Sequence, residues 1–98
     1  MIPTNPPERH KIRVMLIDDR TIFLRSLSTY LMQIPEVDVV GVASGCEGAV
    51  AQAQLLGAQV VILGLTTSGL PELQVIARLH DTSPEIGVIV MTLRDLAP

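Results

Sequence analysis

The chain has 98 residues, a formal net charge of -3, 48% hydrophobic residues and only 2% aromatics. This suits one domain whose core is built from Val, Ile, Leu, Ala and Met rather than from rings, as in layered α/β folds. The acidic balance argues against a nucleic-acid binder, no apolar run approaches the roughly 20 residues of a membrane helix, and the single cysteine, Cys46, rules out an internal disulfide and fits a reducing, cytoplasmic setting.

Residues 1 to 11 open with MIPTNPPERH, three prolines and no hydrophobic stretch, and read as a flexible leader rather than a signal peptide. Arg9, Lys11 and Arg13 sit beside this flexible start and read as solvated charges rather than a DNA-binding arm. From Ile12 onward, residues 12 to 98 form the domain. IRVMLI (12 to 17) is a short apolar run ended by Asp18-Asp19, as expected of a central parallel strand. Phe23, Leu27, Tyr30, Leu31 and Ile34 share one face of a 3.6-residue period and predict a helix stopped by Pro35. VDVVGVA (37 to 43) is a second strand. Ser44 followed by Glu47 predicts a capping box opening a helix to about Leu56, with Gly57 as its left-handed cap. Residues 59 to 63 are a third strand and GLTTSGL the loop after it. Pro71 suits the first turn of a helix that turns Leu73, Ile76 and Leu79 to one side. Ser83 and Pro84 break that helix, and IGVIVMT (86 to 92) is a fourth strand.

The order β-α-β-α-β-α-β, with short connections, predicts a doubly wound parallel sheet with right-handed crossovers. In such sheets ligands bind beyond the carboxyl ends of the strands. Asp18, Asp19, Gly64, Thr66, Thr67, Thr92 and Arg94 fall there. Two adjacent carboxylates at a strand end are electrostatically costly, which makes them candidates for a hard cation such as Mg²⁺. Other groupings are poor: Gly41, Gly45 and Gly48 lack dinucleotide-loop spacing, and His80, Asp81 and Ser83 do not make a triad.

The segments IRVMLIDDRTIFLRSL, VDVVGVASGCEGAV, VVILGLTTSGL and VIVMT, in this order, resemble the receiver domain of bacterial response regulators, particularly those fused to LuxR-type helix-turn-helix domains. The resemblance runs from about Ile12 to Thr92 and implies a strand order 2-1-3-4. In that family an aspartate ending the third strand accepts a phosphoryl group from a kinase histidine. Mg²⁺ is held by acidic residues after the first strand, by that aspartate and by a carbonyl two residues on, while a Ser or Thr after the fourth strand and a Lys after the fifth grip the phosphoryl oxygens. Asp18 and Asp19 match the acidic pair, Thr66 the carbonyl donor and Thr92 the hydroxyl switch.

The phosphoacceptor position is Gly64, and glycine offers no nucleophile. The only lysine, Lys11, precedes the first strand, and the chain ends where the family continues through a further helix, strand and helix. The resemblance therefore implies a pseudo-receiver: not an enzyme, but a signalling module, possessing at most a weak Mg²⁺ site at Asp18, Asp19 and Thr66. Its expected partners are a sensor kinase or an output domain, with no nucleic acid bound by this chain itself and a role in transcriptional regulation through protein contacts. Two alternatives stand beside this. One is a small-ligand or nucleotide sensor in space vacated beside Thr66, Thr92 and Asp19. The other is a self-associating fragment without independent activity, a homodimer joined through its fourth strand at Val88 and Val90.

Overall fold

A computed structural model describes residues 11–65 and 69–92. Strand β1 (Ile12–Ile17) is followed by α1 (Thr21–Met32), β2 (Val37–Ala43), α2 (Ala49–Leu55), β3 (Val60–Gly64), α3 (Leu70–Thr82) and β4 (Gly87–Met91). The four strands form one parallel sheet in the order β2-β1-β3-β4, as the sequence implies. Residues 1 to 10 of the expected leader lie outside the described residues, as do Thr66, Thr67 and Arg94.

Because successive side chains on a strand point to opposite faces, β1 feeds two cores. Met15 and Ile17, with Val61 and Leu63 of β3, pack against Ala49, Val50 and Ala53 of α2 and Val75 and Leu79 of α3. Val14 and Leu16 face the other way and meet Leu24 of α1. The central strand is thus buried on both sides, which is why it reads as a continuous apolar run.

Two helix stripes differ from expectation. In α1 the buried residue is Leu24, flanked by half-buried Leu27 and Leu31, whereas Tyr30 is 63% exposed. The 24-27-31 spacing lies directly over Val14 and Leu16, and the stripe is centred there rather than on Phe23 and Tyr30. In α3 the inward residues are Glu72, Val75 and Leu79, while Leu73 is turned to solvent.

The expected capping box is also corrected. Helix α2 starts at Ala49, its N-cap is Gly48 at φ 71°, and no side chain caps it. The Ala49 N–H donates to the Cys46 carbonyl at 3.1 Å, so residues 46 to 49 make a tight turn in which Gly48 supplies the left-handed conformation. At the other end, Gly57 caps as expected: φ is 67°, and the Ala58 N–H donates to the Ala53 carbonyl at 3.0 Å.

Candidate functional site at the strand ends

Strands β1 and β3 are neighbours whose connecting helices leave in opposite directions, so their carboxyl ends define the switch point of the sheet. Ile17 pairs with Leu63, which sets the next residues, Asp18 and Gly64, side by side. Gly64 in turn pairs with Met91 of β4, and the Leu65 N–H donates to the Met91 carbonyl at 2.9 Å, placing Thr92 at the same edge. Asp18, Gly64 and Thr92 are therefore brought together along one rim, Asp19 is exposed beside them, and Thr66 lies outside the described residues.

Asp18 is buried, and a buried carboxylate requires partners. Arg20 provides them all. Its backbone N–H donates to Asp18 Oδ1 at 2.8 Å, its Nε to the same oxygen at 2.9 Å, and its Nη2 to Oδ2 at 2.5 Å. The first of these closes an Asx-type turn, the local device by which aspartate bonds the backbone two residues on. The other two form a two-point guanidinium–carboxylate fork. The free side of the guanidinium lies over the Phe23 ring, 4.5 Å from its centroid. The side-chain bond from Arg20 holds the Asp18 carboxyl below its ordinary range, outweighing the burial that would raise it.

This fork occupies the region above Gly64. A Cβ built on Gly64 would overlap Asp18 Oδ2 outright, lie 2.6 Å from its Cγ and come within 3.1 Å of Arg20 Nη2. Glycine is needed here because the neighbouring carboxylate lies flat against the backbone. The position a Cβ of residue 64 would take is filled by Asp18 itself, while the space beside Thr66 named in the ligand-sensor reading lies outside the described residues.

The described residues do not fit the Mg²⁺ that the receiver family would place here. Both oxygens of Asp18 are engaged by Arg20, and the third carboxylate is replaced by Gly64. Among the described residues, no group of three or more His, Cys, Asp or Glu side chains is arranged to hold a metal.

Sequence reasoning missed Arg20 and Phe23, although an arginine two residues after a strand-end aspartate is the signal that could have found the fork. It also missed Glu72, buried on α3 with its Oε2 3.6 Å from Cys46 Sγ. Cys46 is half-buried, and burial, reinforced by that carboxylate, pushes its thiol up, which disfavours the thiolate. It sits in the turn before α2 rather than in the helix.

No family model matches the chain. Among curated proteins, it is 31% identical over 83 residues to a protein-glutamate methylesterase/protein-glutamine glutaminase 2 of Cereibacter sphaeroides, covering 85% of this chain and 23% of that protein. It is 28% identical over 87 residues to the response regulator GacA of Pseudomonas viridiflava, covering 89% of this chain and 41% of GacA. The chain thus spans less than half the length of either relative. Among solved structures, the non-phosphorylated receiver domain of the stress response regulator RcsB from Escherichia coli superposes with a TM-score of 0.76 at 26% identity, covering 88% of this chain and 68% of that one. No helix among the described residues is long and apolar enough to cross a membrane.

Proposed function

Since the chain is a receiver domain of the response-regulator kind, we propose that it serves signal transduction as a pseudo-receiver, working through protein contacts instead of phosphotransfer. The observation that carries this is Gly64 at the end of β3: the residue has no nucleophile, and the Asp18–Arg20 fork covers its backbone. An acyl phosphate requires a carboxylate at the end of β3, and of the two carboxylates at this rim Asp18 is committed to a guanidinium while Asp19 lies exposed after β1. On this reading the module is not an enzyme, resides in the cytoplasm, and has as partners a kinase-derived surface or an output domain acting in transcription.

The test is incubation with a small-molecule phosphodonor and Mg²⁺ followed by intact-mass measurement. The expected result is an unmodified protein. A stable phosphorylated species mapped to the end of β1 or β3 would overturn the reading.

Self-association is favoured by a separate observation. β4 pairs only with β3 among the described residues, and Ile89 and Val90 are 52% and 43% exposed upon it. An apolar outer strand invites a second copy to pair with it. Val90 would contribute to that interface directly. Val88 is half-buried against the α2/α3 core, so it would contribute mainly by supporting the strand. Light scattering at high concentration should show a dimer, and a monomer throughout would remove this part of the proposal.

A further inference from the structure

Around Asp18 and Gly64 the described contacts converge on one side chain, Arg20. The Asp18 carboxylate accepts three hydrogen bonds from Arg20, and the guanidinium is backed by the Phe23 ring and overhangs Gly64. A guanidinium stays charged at every accessible pH, so it is a permanent cation tethered to the chain. Mg²⁺ needs carboxylate oxygens that are free to enter its octahedral shell, usually one or two of them along with water. Both Asp18 oxygens already accept from the Arg20 cation, Oδ1 twice and Oδ2 once, so a second cation there would have to compete with a tethered guanidinium, and the exposed Asp19 alone makes no cage. From this geometry we infer that Arg20 is the resident cation of the site: its guanidinium takes the electrostatic role of a divalent ion, closes the space above Gly64 and keeps the rim metal-free.

This deepens the pseudo-receiver reading, because it shares that reading's strand-end site, but it makes a different claim. Loss of the phosphoacceptor alone would leave a weakened metal site that one substitution could repair. A resident cation makes the loss two-fold. Restoring a carboxylate with Gly64→Asp would push the Asp18 carboxylate aside, since a Cβ at residue 64 overlaps it, and leave both carboxylates within reach of the same guanidinium, which can bridge them. Metal binding then returns only when Arg20 is also removed.

The experiment is a titration of the full 98-residue chain with Mn²⁺, an oxygen-seeking paramagnetic stand-in for Mg²⁺, read as broadening of backbone amide signals. In the wild type and in Gly64→Asp, the amides of residues 17 to 20 and 62 to 65 should show no saturable broadening at millimolar Mn²⁺. In Gly64→Asp/Arg20→Gln those amides should broaden saturably, with at least about tenfold tighter binding than in Gly64→Asp, corresponding to ~1.4 kcal/mol. Saturable submillimolar binding by the wild type would overturn the inference, as would a double variant that binds no tighter than Gly64→Asp.

Should the double variant fail to fold, Arg20→Gln alone decides: broadening centred on Asp18 supports the resident cation, and none overturns it. The two proposals fail separately. Phosphorylation of the wild type would sink the pseudo-receiver reading, whereas Mn²⁺ binding by the wild type would sink only the role given to Arg20.

Discussion

The two faces of the sheet are built from the same strands but support very different cores. On the α2/α3 face ten buried residues form one cluster, including Met15, Val61, Leu63 and Leu79. On the α1 face only Val14, Leu16 and Leu24 are buried, and Val60 and Ile62 are half-buried at the margin. The difference follows from two helices covering one side and one covering the other among the described residues. It teaches that neighbouring positions on a strand, chemically alike, differ sharply in what they contribute.

The sharpest way to break that comparison is a pair of truncations one residue apart. Leu63→Ala should cost ~2–5 kcal/mol, the range for emptying a filled core position, whereas Ile62→Ala should cost under about 2 kcal/mol because its site is already half open. Urea melts of both variants would settle the ratio, and equal costs would mean that the α1 face is as well sealed as its opposite.

Next in size is Gly64→Ala. One methyl group here overlaps a charged, hydrogen-bonded carboxylate rather than a yielding side chain, so a loss of ~1–3 kcal/mol is expected from overpacking. The same change at Gly45, where a Cβ would meet nothing within 4 Å, should be near neutral. Thermal unfolding of the two variants provides the comparison.

The Asp18–Arg20 fork should contribute less, about 1 kcal/mol, since the Arg20 side chain is 33% exposed and partly screened by solvent. Its signature is pH dependence. The folded state holds the Asp18 carboxyl below its ordinary value of 3.8, so the stabilisation is fully present above that pH and lost as pH falls beneath it. Arg20→Gln should flatten this acid limb of the stability curve, and an unchanged limb would show that the fork does not form in solution.

The smallest expected effect on folding belongs to the outer strand. Val90→Lys should leave monomer stability within about 0.5 kcal/mol, as for other exposed positions. It should nevertheless reduce any dimer seen by light scattering, since a charge on an edge strand opposes pairing.

Much of this was legible beforehand, and for identifiable reasons. The runs 12 to 17 and 37 to 43 reach the boundaries of β1 and β2, because apolar β-branched stretches bounded by charge or turn residues have few other uses. Gly57 and Pro71 were recognisable as a cap and a first-turn residue because backbone chemistry restricts where each can stand. Leu27 and Leu31 of α1 and Ile76 and Leu79 of α3 turn inward as expected, whereas Tyr30 and Leu73 do not, and the buried Leu24 and Val75 were not foreseen. Periodicity gives the spacing of a helix's apolar positions but not which of two adjacent stripes the sheet will cover, and in α3 a carboxylate, Glu72, sits inward where an apolar residue was expected. The capping box failed because a glycine immediately before the first buried helical pair, Ala49 and Val50, offered a tighter entry.

The sequence by itself determined the order of the elements, the parallel sheet they make and the absence of a nucleophile at residue 64, since each depends only on local chemistry or on the rules of chain connection. The three-dimensional packing decided what stands in that place. Asp18 and Gly64 are 46 positions apart, and only the pairing of β1 with β3 brings them together closely enough for a carboxylate, locked by Arg20, to fill the room a side chain would take.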